Sequence, residues 1–344
     1  MELVNTEFGL FCPRRSCPHY QKMDKPICKM GTYPVISENV RRQLFWCSRG
    51  KHKFSETSFS GLWHKHGSFK EYEQAAKMLK YGMATVEIAD VIEKDERTIQ
   101  VWKKSISDKS RFFHTWVCCH VGLIILFLQM DELWSYVKNK SNQLWLFAAI
   151  DVPTRFMITF VLGKRTTFNA KRLVGSVYHM AQWSKNRLLR VTTDKLTAYT
   201  KALELYFQND VRFVYLQIVK VRVKRRLKTV SKAFVHGTQK DFPDGTQNTS
   251  FIERLNLTLR DRISYLHRKT IGYCKKPDAL DQTVWINLVD YNYCCFHKSL
   301  RVRLPGNPKK RFKKHYRMNT PAMKMGLTND ILYWKYLFLV PVPS

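Results

Sequence analysis

The chain has 344 residues and a formal net charge of +32, from 59 Lys and Arg against 27 Asp and Glu. That length holds two or three domains with real cores. The charge argues against cationic partners and points to a polyanion, nucleic acid first, with a merely supercharged surface as the alternative. Met1–Leu10 contains two acids and no long apolar core, so no signal peptide is expected. A cytoplasmic, nucleoid-associated protein follows, and the nine cysteines read as metal ligands sooner than disulfides. No membrane span is expected. The apolar run Val121–Leu128 falls far short of the ~20 residues needed to cross a bilayer, and suits a buried strand.

Residues 1–60 read as a small zinc-ribbon-like module for DNA binding. Cys12 and Cys17 form one knuckle; Cys47 opens a second, followed by His52. Tyr33–Val35 and Gln43–Trp46 are expected to pair as a hairpin, and Zn²⁺ would supply stability that so small a core lacks. Gly50 stands where a zinc ribbon would carry a ligand such as Cys. His52, His19 or Cys28 would then complete the tetrahedron, or the knuckle is metal-free.

Residues 61–110 read as a helix-turn-helix domain, with three short helices over 68–104. Ser68 caps the first, with Tyr72, Ala75, Ala76 and Leu79 on one face, and Gly82 ends it. Thr85 caps the second, and Asp95 starts a third that buries Ile99 and Trp102. On the outward face, Arg97 and Gln100 are placed to read base edges, Lys103 and Lys104 to touch phosphate. A plain helical hairpin with a solvated face is the alternative.

Residues 111–300 carry the order of a ribonuclease H-like domain, an α/β (α+β) fold with a mixed sheet flanked by helices. A strand over Val121–Asp131 is expected to end at Asp131 and Glu132. Strands over Leu144–Asp151 and Phe156–Leu162 follow, then a helix capped by Thr167. Leu188–Thr193 is a fourth strand ending in Asp194, with a helix near Tyr199–Phe207 and a strand at Val211–Leu216 after it. In 218–235, Val219, Val221 and Val223 alternate with Lys220, Arg222 and Lys224. Together with Arg226 they suggest an inserted basic hairpin laid on DNA, against a disordered basic loop. Asn248–Leu266 reads as an amphipathic helix with Ile252, Leu255, Leu259, Ile263 and Leu266 on its apolar side and Glu253 on its polar side. Ser250 and Glu253 also fit a capping box. A further helix is expected from Asp278 to about Cys295. Residues 301–344 read as a basic, extended linker and a short tail.

Asp131, Asp194 and Glu253 thus share a context: two acids at strand ends and one on a helix crossing beside them. Converging carboxylates repel unless divalent metal holds them, and two Mg²⁺ (or Mn²⁺) ions there would serve phosphodiester displacement. Asp131 would bridge both ions. Strand alternation turns Glu132 away, which makes it secondary.

Several stretches resemble the insertion-sequence-1 family of DDE transposases. They are Asp131–Val137, Trp145, Asp151, Gly163–Thr166, Thr193-Asp194 with Tyr199, and Asn248 with Ile252–Arg254. Asn256, Leu259-Arg260, Arg268–Thr270, Tyr291-Asn292, Ser299-Leu300, Thr320–Met323 and Gly326–Thr328 also match, so nearly the whole chain is covered. The resemblance implies strand cleavage at element ends and transfer of 3′ ends into target double-stranded DNA. It also implies recognition of terminal inverted repeats by the amino-terminal modules, and a homo-oligomer on DNA. A DNA-binding protein with decayed catalysis, and a related integrase or nuclease, are the competing functions.

Overall fold

The computed structural model describes residues 10–20, 22, 27–36, 39–62, 67–223, 226–243, 245–267, 272–305 and 316–341, with only the backbone described at 221–223 and 226–229. It divides into two compact units: Met1–His120 with Gln282–Cys295 and Leu327–Ser344, and Val121–Asp281 with Phe296–Gly326. The sequence suggested four segments instead. The zinc-ribbon-like and helical modules fall in one unit, and the stretch after residue 300 is divided. The reason is apolar. Trp334, Leu337 and Phe338 in the tail are buried, and Phe338 packs on Tyr72 with ring centroids 4.7 Å apart. The tail therefore completes the helical core of the first unit.

In that unit, β1 (Ile27–Val35), β2 (Val40–Cys47) and β3 (His52–Ser55) form an antiparallel sheet in the order β1-β2-β3. Phe11, Phe45, Phe54 and Phe59 cluster beside Cys12, Cys17 and Cys47 as its small core. Three helices follow: α1 (Phe69–Leu79), α2 (Thr85–Ile92) and α3 (Glu96–Val121). Ser68 caps α1 as expected, and does so in a reciprocal box with Glu71. Ala84, not Thr85, is the N-cap of α2; Glu87 accepts from the Ala84 amide at 2.9 Å, leaving the Thr85 hydroxyl to bond Glu96 at 2.8 Å. Asp95 accepts from the Arg97 amide at 2.8 Å and so starts α3. The third helix is not short. It runs 26 residues, because the stripe Ile99, Trp102, Ile106, Phe113 and Val117 stays fully buried well past residue 104.

The second unit is built on a six-stranded sheet. Its strands are β4 (Phe127–Tyr136), β5 (Gln143–Asp151), β6 (Met157–Gly163), β7 (Leu189–Asp194), β8 (Phe213–Val223) and β9 (Arg226–His236), in the order β6-β5-β4-β7-β8-β9. The first three pair antiparallel, whereas β7 is parallel to β4 and β8 to β7. Parallel neighbours need crossovers. These are α4 (Thr167–Met180), N-capped by Thr166 in place of Thr167, and α5 (Thr197–Phe207). Three antiparallel strands followed by two parallel ones is the ribonuclease H-like arrangement expected from the element order.

Two strand boundaries differ from expectation. The strand near Val121–Asp131 begins at Phe127 and passes through Asp131 to Tyr136, so Asp131 lies mid-strand. The basic stretch is no separate insertion either. Its first half continues the fifth strand, and β9 returns antiparallel from it. Beyond the sheet, α6 (Ser250–Arg262) turns into a short 3-10 segment at Ser264–Leu266. Its stripe Ile252, Leu255, Leu259, Ile263 and Leu266 is buried throughout. The helix α7 (Pro277–Val289) ends in a π turn at Asp290–Cys294. The segment read as an extended linker contributes two strands, β10 (His297–Arg303) and β11 (Tyr316–Asn319), which pair antiparallel. No described helix is long and apolar enough to cross a membrane.

The orientation of α3 is open to test. Trp102 is fully buried with its ring 5.7 Å from Tyr72, whereas Arg97 is exposed. Trp102→Ala should cost about 3–5 kcal/mol in denaturant unfolding followed by circular dichroism. Arg97→Ala should stay within about 0.5 kcal/mol. Comparable losses would mean that the helix presents another face.

Candidate functional site

Asp131 and Asp194 meet because β4 and β7 are parallel and in register. Met130 pairs with Thr193, so each acid is the next residue along its strand. The strand β7 stops at Asp194 while β4 runs on, and this leaves an opening at the sheet edge. The face of β4 that carries Asp131 also carries Gln129 and Ser135, and all three hold the segment of α6. The Gln129 amide donates to the Asn248 carbonyl at 2.7 Å and accepts from the Ile252 amide at 3.0 Å. The Ser135 hydroxyl donates to the Tyr265 carbonyl at 2.8 Å. Asn256 donates to Asp131 Oδ2 at 2.8 Å. Glu253, one turn before Asn256, thereby projects into the same cleft. That cleft measures about 690 Å³, and its lining includes Asp131, Glu132, Asp194, Lys220, Glu253 and Asn256.

The capping box suggested for Ser250 and Glu253 does not form, since Thr249 is the N-cap of α6. The Glu253 carboxylate instead accepts from the Thr249 hydroxyl at 2.7 Å and pairs with Lys220. One candidate DNA contact is thus occupied by a candidate catalytic acid. The side chains of Arg222 and Arg226 carry no description, and Lys224 lies outside the described residues. On α3, Arg97, Gln100 and Lys104 are exposed and Lys103 half-buried. Gln100 donates to Glu96 at 2.9 Å and Lys104 to Asp108 at 2.6 Å.

Glu132 departs from the sequence reading. Alternation does place it on the opposite face of β4, where Arg165 donates to its Oε2 at 3.1 Å. Its carboxylate nevertheless reaches the opening, and oxygens of Asp131, Glu132 and Asp194 all lie within 4.8 Å of one another. Arg165 bridges onward to Asp194 at 3.6 Å and lies over the Trp145 ring at 5.1 Å. The Asp131 carboxyl is pushed up to about 7, by burial first and then by Asp194 and Glu132. Burial raises Glu132 and Asp194 as well, opposed in both by Arg165. Sequence reasoning left Gln129, Asn256, Arg165 and Glu132 out of the site. The lone Gln129 in an apolar run was the available signal for the first.

In the zinc-ribbon-like module, sulfurs of Cys12, Cys17 and Cys47 lie within 4.8 Å of one another. His52 Nε2 stands 3.2 Å from Cys12 Sγ, and its Nδ1 is 3.0 Å from the Gly50 carbonyl. Backbone amides of Arg14, His19 and Gly50 point at the three sulfurs from 3.3–3.4 Å. A Cβ at position 50 would meet the His52 ring at 2.6 Å and Cys17 Sγ at 2.9 Å. The bare glycine therefore makes room for histidine. Of the other two candidates, Cys28 is exposed and His19 is buried with Nδ1 unpartnered.

The raised Asp131 value has a measurable consequence. Above its ordinary 3.8 and up to about 7, the folded state holds more protons than the unfolded one. Without added divalent ions, stability should therefore fall as pH rises through that window, with the loss complete above it. Asp131→Asn removes this term. Its melting temperature should gain on the parent between about pH 4 and 7 and then level off. A difference independent of pH would show that Asp131 titrates normally.

Residues 123–225 match the family model described as IS1 transposase. Insertion element IS1 protein InsB of Shigella flexneri is 27% identical over 172 residues, covering 49% of this chain and 99% of that protein. The IS1 4 protein InsB of Escherichia coli (strain K12) is likewise 27% identical, over 49% of this chain and 78% of its own length. Among solved structures, a piggyBac transposase synaptic complex with hairpin DNA aligns over 66% of this chain and 65% of its own, with 10% identity and a TM-score of 0.39. A Mos1 strand transfer complex aligns over 65% and 78%, with 11% identity and a TM-score of 0.19.

Proposed function

We propose that this chain, whose residues 123–225 match the IS1 transposase family model, binds the terminal inverted repeats of an insertion sequence, cleaves DNA strands there and transfers the 3′ ends into target DNA. The observation that carries the reading is the convergence of Asp131, Asp194 and Glu253 on one cleft within that domain and the adjoining α6. The site fits divalent metal. Its donors are hard oxygens, and buried oxygens of Asp194 and Glu132 lack a well-placed hydrogen-bond donor. Asp131, Asp194 and Glu253 would hold Mg²⁺ or Mn²⁺, which when bound supplies stabilisation to the entering and leaving oxygens of the phosphodiester.

The chain's own residues do the rest. Asn256 keeps Asp131 from rotating, and Gln129 fixes the start of α6, so that the acids are aligned before substrate arrives. Lys220 neutralises Glu253 until a DNA phosphate competes for the ammonium. With Arg222, Lys224 and Arg226 it belongs to the basic hairpin, whose contacts carry affinity and not sequence. Recognition of the ends falls to Arg97 and Gln100, with Lys103 and Lys104 on phosphate. A homo-oligomer is expected, since two element ends must be processed together.

The thiols of Cys12, Cys17 and Cys47 fit three corners of a Zn²⁺ site, with His52 Nε2, 3.2 Å from Cys12 Sγ, as the fourth ligand once drawn in, and with the amides pointing at sulfur and the Gly50 carbonyl beside Nδ1 as outer support.

Asp131→Asn, Asp194→Asn and Glu253→Gln should each reduce strand transfer of a labelled element end to background while leaving mobility-shift binding of that end intact. Joining at the parent rate by any one of them would remove that residue from the site. For the zinc site, Gly50→Ala should release or weaken zinc about tenfold or more in a competitive chelator titration, because its methyl group would displace His52. Unchanged zinc affinity would show that His52 is not a ligand.

A further inference from the structure

The opening between β4 and β7 holds one more carboxylate, Glu132, than the three acids assigned to it. The Glu132 side chain is 1% exposed. Its Oε2 takes both contacts from Arg165, at 3.1 and 3.3 Å, while Oε1 is buried and faces only the buried Tyr199 hydroxyl, with no hydrogen bond of good geometry between them. A buried carboxylate oxygen without a well-placed donor is costly. A plain ion pair with Arg165 would leave that cost uncompensated.

We propose that Glu132 is itself a metal-holding residue, sharing with Asp131 and Asp194 the divalent ion of the reaction proposed above. The geometry is that of one coordination shell. Oxygens about 2.1–2.4 Å from an ion lie no more than about 4.2–4.8 Å apart. The three carboxylates already present oxygens within 4.8 Å of one another, without Glu253. Glu132 approaches from the face of β4 opposite Asp131, so together they grip an ion from both sides of the sheet edge. Arg165 is the counter-ion that compensates this cluster when metal is absent. It contacts Glu132 and Asp194 together, and its side chain is 40% exposed.

This inference rests on the transposase reading, yet it separates from it by measurement. Mn²⁺ binding to the full chain, without DNA, would be followed by electron paramagnetic resonance of the free ion. Glu132→Gln, which keeps the shape and loses the charge, should weaken Mn²⁺ about tenfold or more, and Glu132→Asp should weaken it less. Arg165→Gln should tighten Mn²⁺, since it frees two carboxylates. If Glu132 serves only as the structural partner of Arg165, Glu132→Gln would lower the melting temperature and leave Mn²⁺ affinity unchanged, which overturns the proposal. Arg165→Gln keeps the question answerable should Glu132→Gln fail to fold: weaker or unchanged Mn²⁺ binding there would also overturn it. Asp131→Asn and Asp194→Asn separate the two levels. Loss of Mn²⁺ in these but not in Glu132→Gln sinks this inference alone. Parent-like Mn²⁺ affinity in all of them sinks the metal site itself.

Discussion

Like charges forced together at the edge of a sheet are the constraint on which the second unit depends. Oxygens of Asp131, Glu132 and Asp194 stand within 4.8 Å of one another, and all three carboxyl groups are raised by burial. Such an arrangement persists only if the surrounding structure leaves the side chains no other place to go. Two neighbouring strands in parallel register supply part of that coercion. Arg165 relieves Glu132 and Asp194, and Lys220 relieves Glu253. The molecule's excess of positive charge therefore acts inside the site as well as at its surface.

The other part comes from α6. An amphipathic helix packed only by its apolar stripe can slide or roll by a few ångströms. Two polar anchors prevent this. Gln129 spans the Asn248 carbonyl and the Ile252 amide at the start of the helix, and Asn256 reaches Asp131 one turn past Glu253. Buried polar groups of this kind add little net stability but discriminate strongly against misplacement, because a shifted helix would leave them unpaired. The position of Glu253 is thus set by amides on either side of it.

The zinc-ribbon-like module shows the same economy at smaller scale. A Cβ at position 50 would meet the His52 ring at 2.6 Å, so the glycine leaves that ring room beside the three thiols.

Much was legible in the chain itself. The buried stripe of α6, the strand and helix order, the capping of α1 and the three acids all follow from periodicity and residue chemistry, which are local. Elements long enough to show their period were found, although their ends moved: α3 continues far beyond residue 104 and β4 passes through Asp131. What the sequence could not decide was direction and partnership. Alternation states which face a side chain leaves from, but a glutamate is long enough to bend round a sheet edge where the neighbouring strand has stopped. Whether it does depends on where β7 ends in space. Lys220 likewise reads as one more basic residue on a period-two strand, and only the crossing of α6 beside β8 gives it Glu253 as a partner. Composition, period and chemistry are properties of the chain; which charges meet, and from which sides, is decided only when distant strands come into register.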